Sequence, residues 1–349
     1  MSAALNVTRR VPYVRLGKSG LKVSKIILGC MSYGAPEALP WCLPEKEGIE
    51  HIKFAYENGI QTFDTANVYS NGESERILGK AIRELGLPRD EIVVMTKLFG
   101  VVARTNNEPW YMDPKQMDDN GYVNQHGLSR KHIFESVKHS LERLQLDYID
   151  LLQCHRFDPD TPVEETMQAL HDVVQMGWVR YIGMSSCHAW QFHVMQNYAI
   201  NNKLTPFISM QNHYNLLYRE EEREMMPTLK HFGVGSIPWS PLARGNLTRP
   251  LGGSTSRSGT DLWASPYLSR AGTDQIVNRV EEIAKKHGVT MAQVALAWTF
   301  VKDPVSAPIV GTTSVDKLKD LIGALDVKLS EEDIKYLEEP YKPQEIFGH

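Results

Sequence analysis

A chain of 349 residues with 42% hydrophobic and 23% charged side chains carries enough apolar material to bury a sizeable core, which excludes disorder as its main state. A formal charge of −4 gives no electrostatic reason to expect nucleic acid or an anionic membrane as a partner. No segment approaches the roughly 18 consecutive apolar residues of a membrane span, the first ten residues are polar, and Cys30, Cys42, Cys154 and Cys187 lack the close pairing of a disulfide framework or zinc ribbon. The expectation is a soluble cytoplasmic protein with reduced thiols.

In chain order, Tyr13–Leu16 and Lys22–Val23 flank Gly17-Lys18-Ser19-Gly20, the pattern of a β-hairpin able to plug one end of a barrel. Eight short runs rich in Val, Ile, Leu and Phe follow, centred on Ile26–Gly29, Thr62–Thr65, Val93–Thr96, Asp150–Cys154, Tyr181–Ser185, Ile208–Gln211, Gly235–Ser240 and Ala307–Val310. Most precede a stretch of helical periodicity, which is the pattern of repeated β-α units. Ile133, Val137, Leu141 and Leu144 form one stripe of a helix from Ser129 to Leu144. Thr161-Pro162-Val163-Glu164 reads as a capping Thr, a first-turn Pro and a Glu three residues on, and Thr290 with Gln293 repeats the capping box. Ser330 opens a further helix, to about Glu339, after the eighth unit. Two stretches, Leu98–Leu128 and Arg244–Thr273, exceed ordinary connections and read as binding loops. Without a composition break, these features predict one domain over residues 1–349: an α/β fold, a (β/α)₈ TIM barrel with an N-terminal hairpin, two long βα loops and an extra C-terminal helix.

Several familiar signatures fail on inspection. Gly17-Lys18-Ser19 resembles the end of a phosphate-binding loop, but Pro12 stands where the leading Gly is required. Gly233-Val234-Gly235-Ser236-Ile237-Pro238 ends in Pro and precedes a strand instead of following one. Gly183-Met184-Ser185-Ser186-Cys187 lacks the closing Gly of a nucleophile elbow. Cys154-His155 and Cys187-His188 are adjacent pairs, which chelate poorly on a strand, so no metal site is expected.

One constellation holds: Asp64 and Tyr69 after the second run, Lys97 after the third and His155 after the fourth. In an α/β barrel these strand ends converge on one mouth. The set suits carbonyl reduction, in which a developing alkoxide needs a proton donor. Tyr69 fills that role; free tyrosine titrates at about 10, and a nearby cation favours its ionised form. An ammonium at about 4 Å under an effective dielectric of about 20 is worth roughly 4 kcal/mol, or about three pKa units, before desolvation subtracts from it. Asp64 would orient Lys97, and His155 would donate to the substrate oxygen. Singly, each residue has a plainer reading: Asp64 as a cap, Tyr69 as packing, Lys97 as a solvated charge, His155 as partner to a buried carbonyl. Their joint placement at three successive strand ends outweighs these.

Residues 63–82, FDTANVYSNGESERILGKAI, and 141–156, LERLQLDYIDLLQCHR, resemble the aldo-keto reductase superfamily, and the likeness runs from Gly29 nearly to the C-terminus. The resemblance implies a barrel that binds NADPH without a Rossmann unit, with Asp64, Tyr69, Lys97 and His155 as the catalytic tetrad. It further implies that Ser185 and Gln211 bond the nicotinamide carboxamide and that Trp239 stacks near the ring. Ser240, Pro241, Leu242, Arg244 and Gly245 would lie along the pyrophosphate. Gly311, Thr312, Thr313 and Lys317 would surround the adenosine 2′-phosphate, with Asp320 at the adenine. Ser186 and Leu321 depart from the Asn common in the family at those places. The string Leu337-Glu338-Glu339-Pro340-Tyr341 is similar to fungal aryl-alcohol-dehydrogenase-like members. The expected substrate is therefore a small aryl or polyketide-like carbonyl compound, in a pocket walled by Met31, Tyr33, Trp110, Trp239 and the two long loops. Two other classes are kept: an NADPH-binding regulatory subunit with slow turnover, and a barrel hydrolase using Asp64 and His155.

Overall fold

A computed structural model describes residues 5, 7–8, 10–37, 39–105, 108, 113–253, 267 and 270–348. Strands β1 (Tyr13–Arg15) and β2 (Lys22–Ser24) pair antiparallel as a hairpin. The remaining strands are β3 (Ile27–Gly29), β4 (Thr62–Asp64), β5 (Val93–Leu98), β6 (Ile149–Cys154), β7 (Val179–Ser185), β8 (Phe207–Gln211), β9 (Gly235–Ser236) and β10 (Ile309–Val310). They form one parallel sheet in the order β10-β3-β4-β5-β6-β7-β8-β9. The sheet curls until its edges meet: the Ser306 N–H donates to the Ser236 carbonyl at 2.8 Å and the Ile309 N–H to the Pro238 carbonyl at 2.9 Å. Each of the eight apolar runs overlaps one of these strands, and β5, β6, β7 and β8 extend one to two residues beyond theirs. β9 and β10 are shorter than their runs because Pro238 and Pro308 have no N–H to extend a ladder. Every residue of β6 is buried, as expected where side chains fill the interior and helices cover the outside.

The interior is filled at one end. Leu16 and Val23 of the hairpin join Ile27, Met95, Leu151, Ile237, Ala307 and Ile309 in a buried cluster, each large aliphatic contributing about 1.5–3 kcal/mol by leaving water. The hairpin turn presses onto the chain before β9, where the Lys18 N–H donates to the Gly233 carbonyl at 2.8 Å. Gly17 has φ +57°, and a Cβ there would fall 2.5 Å from the Gly233 oxygen, so only glycine fits.

The helices begin largely where their caps predict. Ser129 caps Arg130–Leu144, whose Ile133, Val137 and Leu144 are buried with Leu141 packed beside them. Thr290 and Gln293 form the reciprocal box before Met291–Phe300, and Ser330 and Asp333 do so before Glu331–Glu338. Thr161 is a correction. The helix Val163–Gln175 starts after Pro162 without a side-chain cap, and the Thr161 hydroxyl donates to Asp158 Oδ2 at 2.7 Å, a charge-assisted bond that holds the side chain in the preceding turn. The loop after β5 carries a short helix, Pro114–Asp119, and its own apolar cluster of Val101, Met117 and Tyr122. Half of the second long loop lies outside the described residues.

Candidate active site

The ends of β4, β5 and β6 stand side by side, with Asp64 paired in register to Met95, and Lys97 to Gln153. Lys97 is fully buried and its ammonium uses all three protons: to Asp64 Oδ2 at 2.6 Å, the Thr65 carbonyl at 2.8 Å and the Tyr69 hydroxyl at 3.2 Å. Burial works against that charge, but Asp64 and Tyr69 outweigh it and hold Lys97 above the ordinary lysine range. The second carboxylate oxygen, Asp64 Oδ1, accepts from Gln153 Nε2 at 3.0 Å and Gln211 Nε2 at 2.9 Å. The buried ion pair is therefore closed on every side but one, the phenol.

Tyr69 opens a tight turn, Tyr69–Gly72, in which Ser70 (φ 47°) and Asn71 (φ 51°) are left-handed, a conformation that side chains other than glycine hold only under constraint. The constraint is on both flanks. A Cβ on Gly34 would come within 1.9 Å of Ser70 Oγ, so the loop after β3 lies hard against the turn. On the other side Asn71 Oδ1 accepts from the Ala103 N–H at 3.1 Å, and Asn67 Nδ2 donates to the Gly100 carbonyl at 3.3 Å. The long loop after β5 is thus stitched to the turn that aims Tyr69.

His155 stands edge-on to the phenol, with ring centroids 5.8 Å apart at 83°. Burial, then the Arg156 and Lys97 charges, press its pKa well below the ordinary histidine value, so the ring is neutral near pH 7 and carries one donor and one acceptor. All four tetrad residues meet at one mouth, with Met31 packed on Ala66, Val68 and Tyr69 beside them. Tyr33 is a correction: it is fully buried and its hydroxyl lies 2.7 Å from His51 Nδ1, because a buried phenol must find a partner and the helix Glu45–Glu57 supplies one. It walls no pocket. Trp110 lies outside the described residues.

The residues expected at a dinucleotide either end or follow β7, β8, β9 and β10. Ser185 donates to the Gln211 carbonyl at 2.8 Å, and the Gln211 amide nitrogen is engaged by Asp64 and by Gln153 Oε1 at 2.9 Å. The Trp239 indole donates to Ser186 Oγ at 2.9 Å and stacks on His213 at 4.1 Å and 9°, which occupies one of its faces. From Ser240 through Pro241 and Leu242 to Gly245 the chain winds tightly, with Ser240 (φ 53°), Ala243 (φ 47°), Arg244 (φ 54°) and Gly245 (φ 94°) left-handed. After β10 come Gly311, buried Thr312, Thr313 and Ser314, whose hydroxyl caps the helix Val315–Gly323. Lys317 is exposed and forms no ion pair among the described residues. The Asp320 carboxylate accepts from the Thr290 hydroxyl at 2.9 Å.

Two functional candidates escape motif reading. Gln153 supports Asp64 directly, and its only signal is an amide in an otherwise buried strand opposite Lys97. Glu75 is fully buried, accepting from Thr96 Oγ1 at 2.6 Å and paired with Arg143 Nε at 2.6 Å, so it braces the residue before Lys97. Among the described residues no cluster of His, Cys, Asp or Glu is arranged to hold a metal, and no helix is long and apolar enough to cross a membrane.

The sequence pattern of the Aldo/keto reductase family matches residues 25–342. The chain is 50% identical over 339 residues to versiconal hemiacetal acetate reductase of Aspergillus parasiticus, covering 96% of this chain and 98% of that protein. It is 50% identical over 349 residues to a candidate aryl-alcohol dehydrogenase of Schizosaccharomyces pombe, covering 96% and 97%. It is 47% identical over 347 residues to an aldo-keto reductase of Alternaria alternata, covering 97% and 94%. With likeness spanning nearly the whole length of each, this chain is an oxidoreductase of the aldo/keto reductase family.

Proposed function

We propose that this protein reduces an aldehyde or ketone with NADPH, Tyr69 acting as the general acid. The observation that carries the reading is a phenol oxygen 3.2 Å from a fully buried ammonium whose counter-ion, Asp64, sits on its far side. NADPH, when bound, supplies hydride to the carbonyl carbon. Tyr69 gives its proton to the carbonyl oxygen as that oxygen gains charge, and Lys97 stabilises the phenolate left behind. Asp64 keeps Lys97 charged and aimed. His155, neutral, donates one N–H to the substrate oxygen and excludes water from that side.

The chain's fittings for the nucleotide are chemical. Ser185 and Gln211 would bond the carboxamide, and Trp239 would lie beside the ring. The tight turn through Ser240, Pro241, Leu242, Arg244 and Gly245, left-handed at Ser240, Arg244 and Gly245, has the winding of segments whose backbone N–H groups bind phosphates, with Leu242 the first residue after Pro241 that could offer one. Gly311, Thr312 and Thr313 would frame the 2′-phosphate with Lys317, whose charge no carboxylate among the described residues neutralises, and Asp320 would face the adenine. The names of the relatives, versiconal hemiacetal acetate reductase and aryl-alcohol dehydrogenase, favour an aryl or polyketide-like carbonyl, taken as a free small molecule in the cytoplasm. In the decisive experiment, Tyr69→Phe abolishes aldehyde reduction while NADPH still binds with near-native affinity. Turnover surviving that substitution would end the proposal.

A further inference from the structure

His51 lies on the helix Glu45–Glu57, outside every residue given a role above, and is buried. Both ring nitrogens are engaged: Nδ1 lies 2.7 Å from the Tyr33 hydroxyl and Nε2 2.9 Å from Thr312 Oγ1. Thr312 Oγ1 also donates to the Ser314 carbonyl at 3.1 Å. The carbonyl only accepts, so it takes the single hydroxyl proton of Thr312. His51 must therefore donate from Nε2, and its neutral ring then accepts at Nδ1 from Tyr33. Burial, against a smaller opposing effect of Ser314, lowers the His51 pKa, which agrees with a neutral ring.

Every proton in this relay has one destination, so the relay has a direction: Tyr33 to His51 to Thr312 to Ser314. It links the loop after β3, through the first helix, to the loop after β10. Ser314 in turn caps the helix that carries Lys317, its hydroxyl accepting from the Lys317 N–H at 3.3 Å.

We propose that His51 is a positioning residue for the adenosine 2′-phosphate: it locks the Thr312–Ser314 turn and so sets where Lys317 meets the nucleotide. The proposal rests on the NADPH reading above. It separates two effects that a general loss of packing would not separate, because only the nucleotide bearing the extra phosphate uses that turn.

The test is the binding of NADPH, NADH and 2′,5′-ADP to the full chain, measured by calorimetry, for the native protein and for His51→Leu, His51→Gln and Tyr33→Phe. Breaking a buried hydrogen-bonded link should weaken NADPH and 2′,5′-ADP by about tenfold. NADH should weaken by less than about threefold in the same variant, so the preference for NADPH falls. His51→Gln, whose amide offers one acceptor and one donor, should recover most of that preference. If His51→Leu weakens both dinucleotides equally, or neither, the proposal is overturned. Should His51→Leu not fold, Tyr33→Phe decides by the same ratio, since it removes a single donor: a reduced preference supports the relay, and an unchanged one overturns it. Failure of the underlying reading looks different, because the native protein would then not bind 2′,5′-ADP at all.

Discussion

Replacing Lys97 by Met removes a charge and keeps the length of the side chain. At the 3.2 Å separation of ammonium and phenol, under an effective dielectric of about 20, the attraction between Lys97 and a full negative charge on Tyr69 is about 5 kcal/mol. Asp64, 2.6 Å from the same ammonium, cancels part of it. Taking half as surviving leaves about 2.5 kcal/mol, a loss of roughly 70-fold in the chemical step. Stability should fall as well, by up to about 3–5 kcal/mol, because the variant strands a buried carboxylate. That penalty is softened by Gln153 and Gln211, which still donate to Asp64. The double variant Asp64→Asn with Lys97→Met removes the stranded charge, so it should regain stability without regaining rate. Single-turnover loss of NADPH absorbance with an aromatic aldehyde, alongside thermal unfolding, reads both quantities. Should Lys97→Met reduce the aldehyde within threefold of the native rate, or the double variant recover it, the electrostatic account of Tyr69 is wrong.

Asn71 offers a second test, because it combines a left-handed backbone with a bond to the loop after β5. Asn71→Ala and Asn71→Gly both lose the bond and should raise KM for a bulky aromatic aldehyde by about fivefold, the equivalent of one hydrogen bond. Only the alanine adds backbone strain of about 1 kcal/mol, seen as a lower Tm than the glycine variant; equal KM values across all three proteins would contradict the latch. Glu221 tests pH dependence. Burial, partly offset by Asn212 and reinforced by Glu220, raises its pKa from 4.5 to about 8. The folded chain thus holds a proton that the unfolded chain releases, so this stabilisation is complete below the unfolded value and is lost as pH climbs through about 8. Glu221→Gln, which cannot ionise, should gain Tm relative to the native protein between pH 5 and pH 9. A constant difference across that range would show that folding does not raise the Glu221 pKa.

The strands and the tetrad were readable because each is written locally. Apolar runs punctuated by Gly and Pro mark β4 or β6 without reference to anything distant, and Asp64 and Tyr69 fall within one short stretch. What escaped depends on partners far along the chain. Gln153 matters because Asp64 is 89 positions away, and an amide in a strand has no spacing to betray it. Tyr33 looked like a pocket wall because an aromatic beside a strand end usually is one; His51 claimed it, and the same ring reaches Thr312 at a separation of 261 residues. Thr161 failed as a cap for a local reason instead, the charge-assisted bond of its hydroxyl to Asp158 three residues before it.

The aliphatic plug under the strands, with Leu16 and Val23 in it and Gly17 wedged against Gly233, fills the end of the sheet away from Tyr69 among the described residues, and so leaves the opposite mouth to the chemistry. On the proposed function, nucleotide and carbonyl compound would both approach Tyr69 from that mouth, and the one seated deeper would have to enter before the other and leave after it.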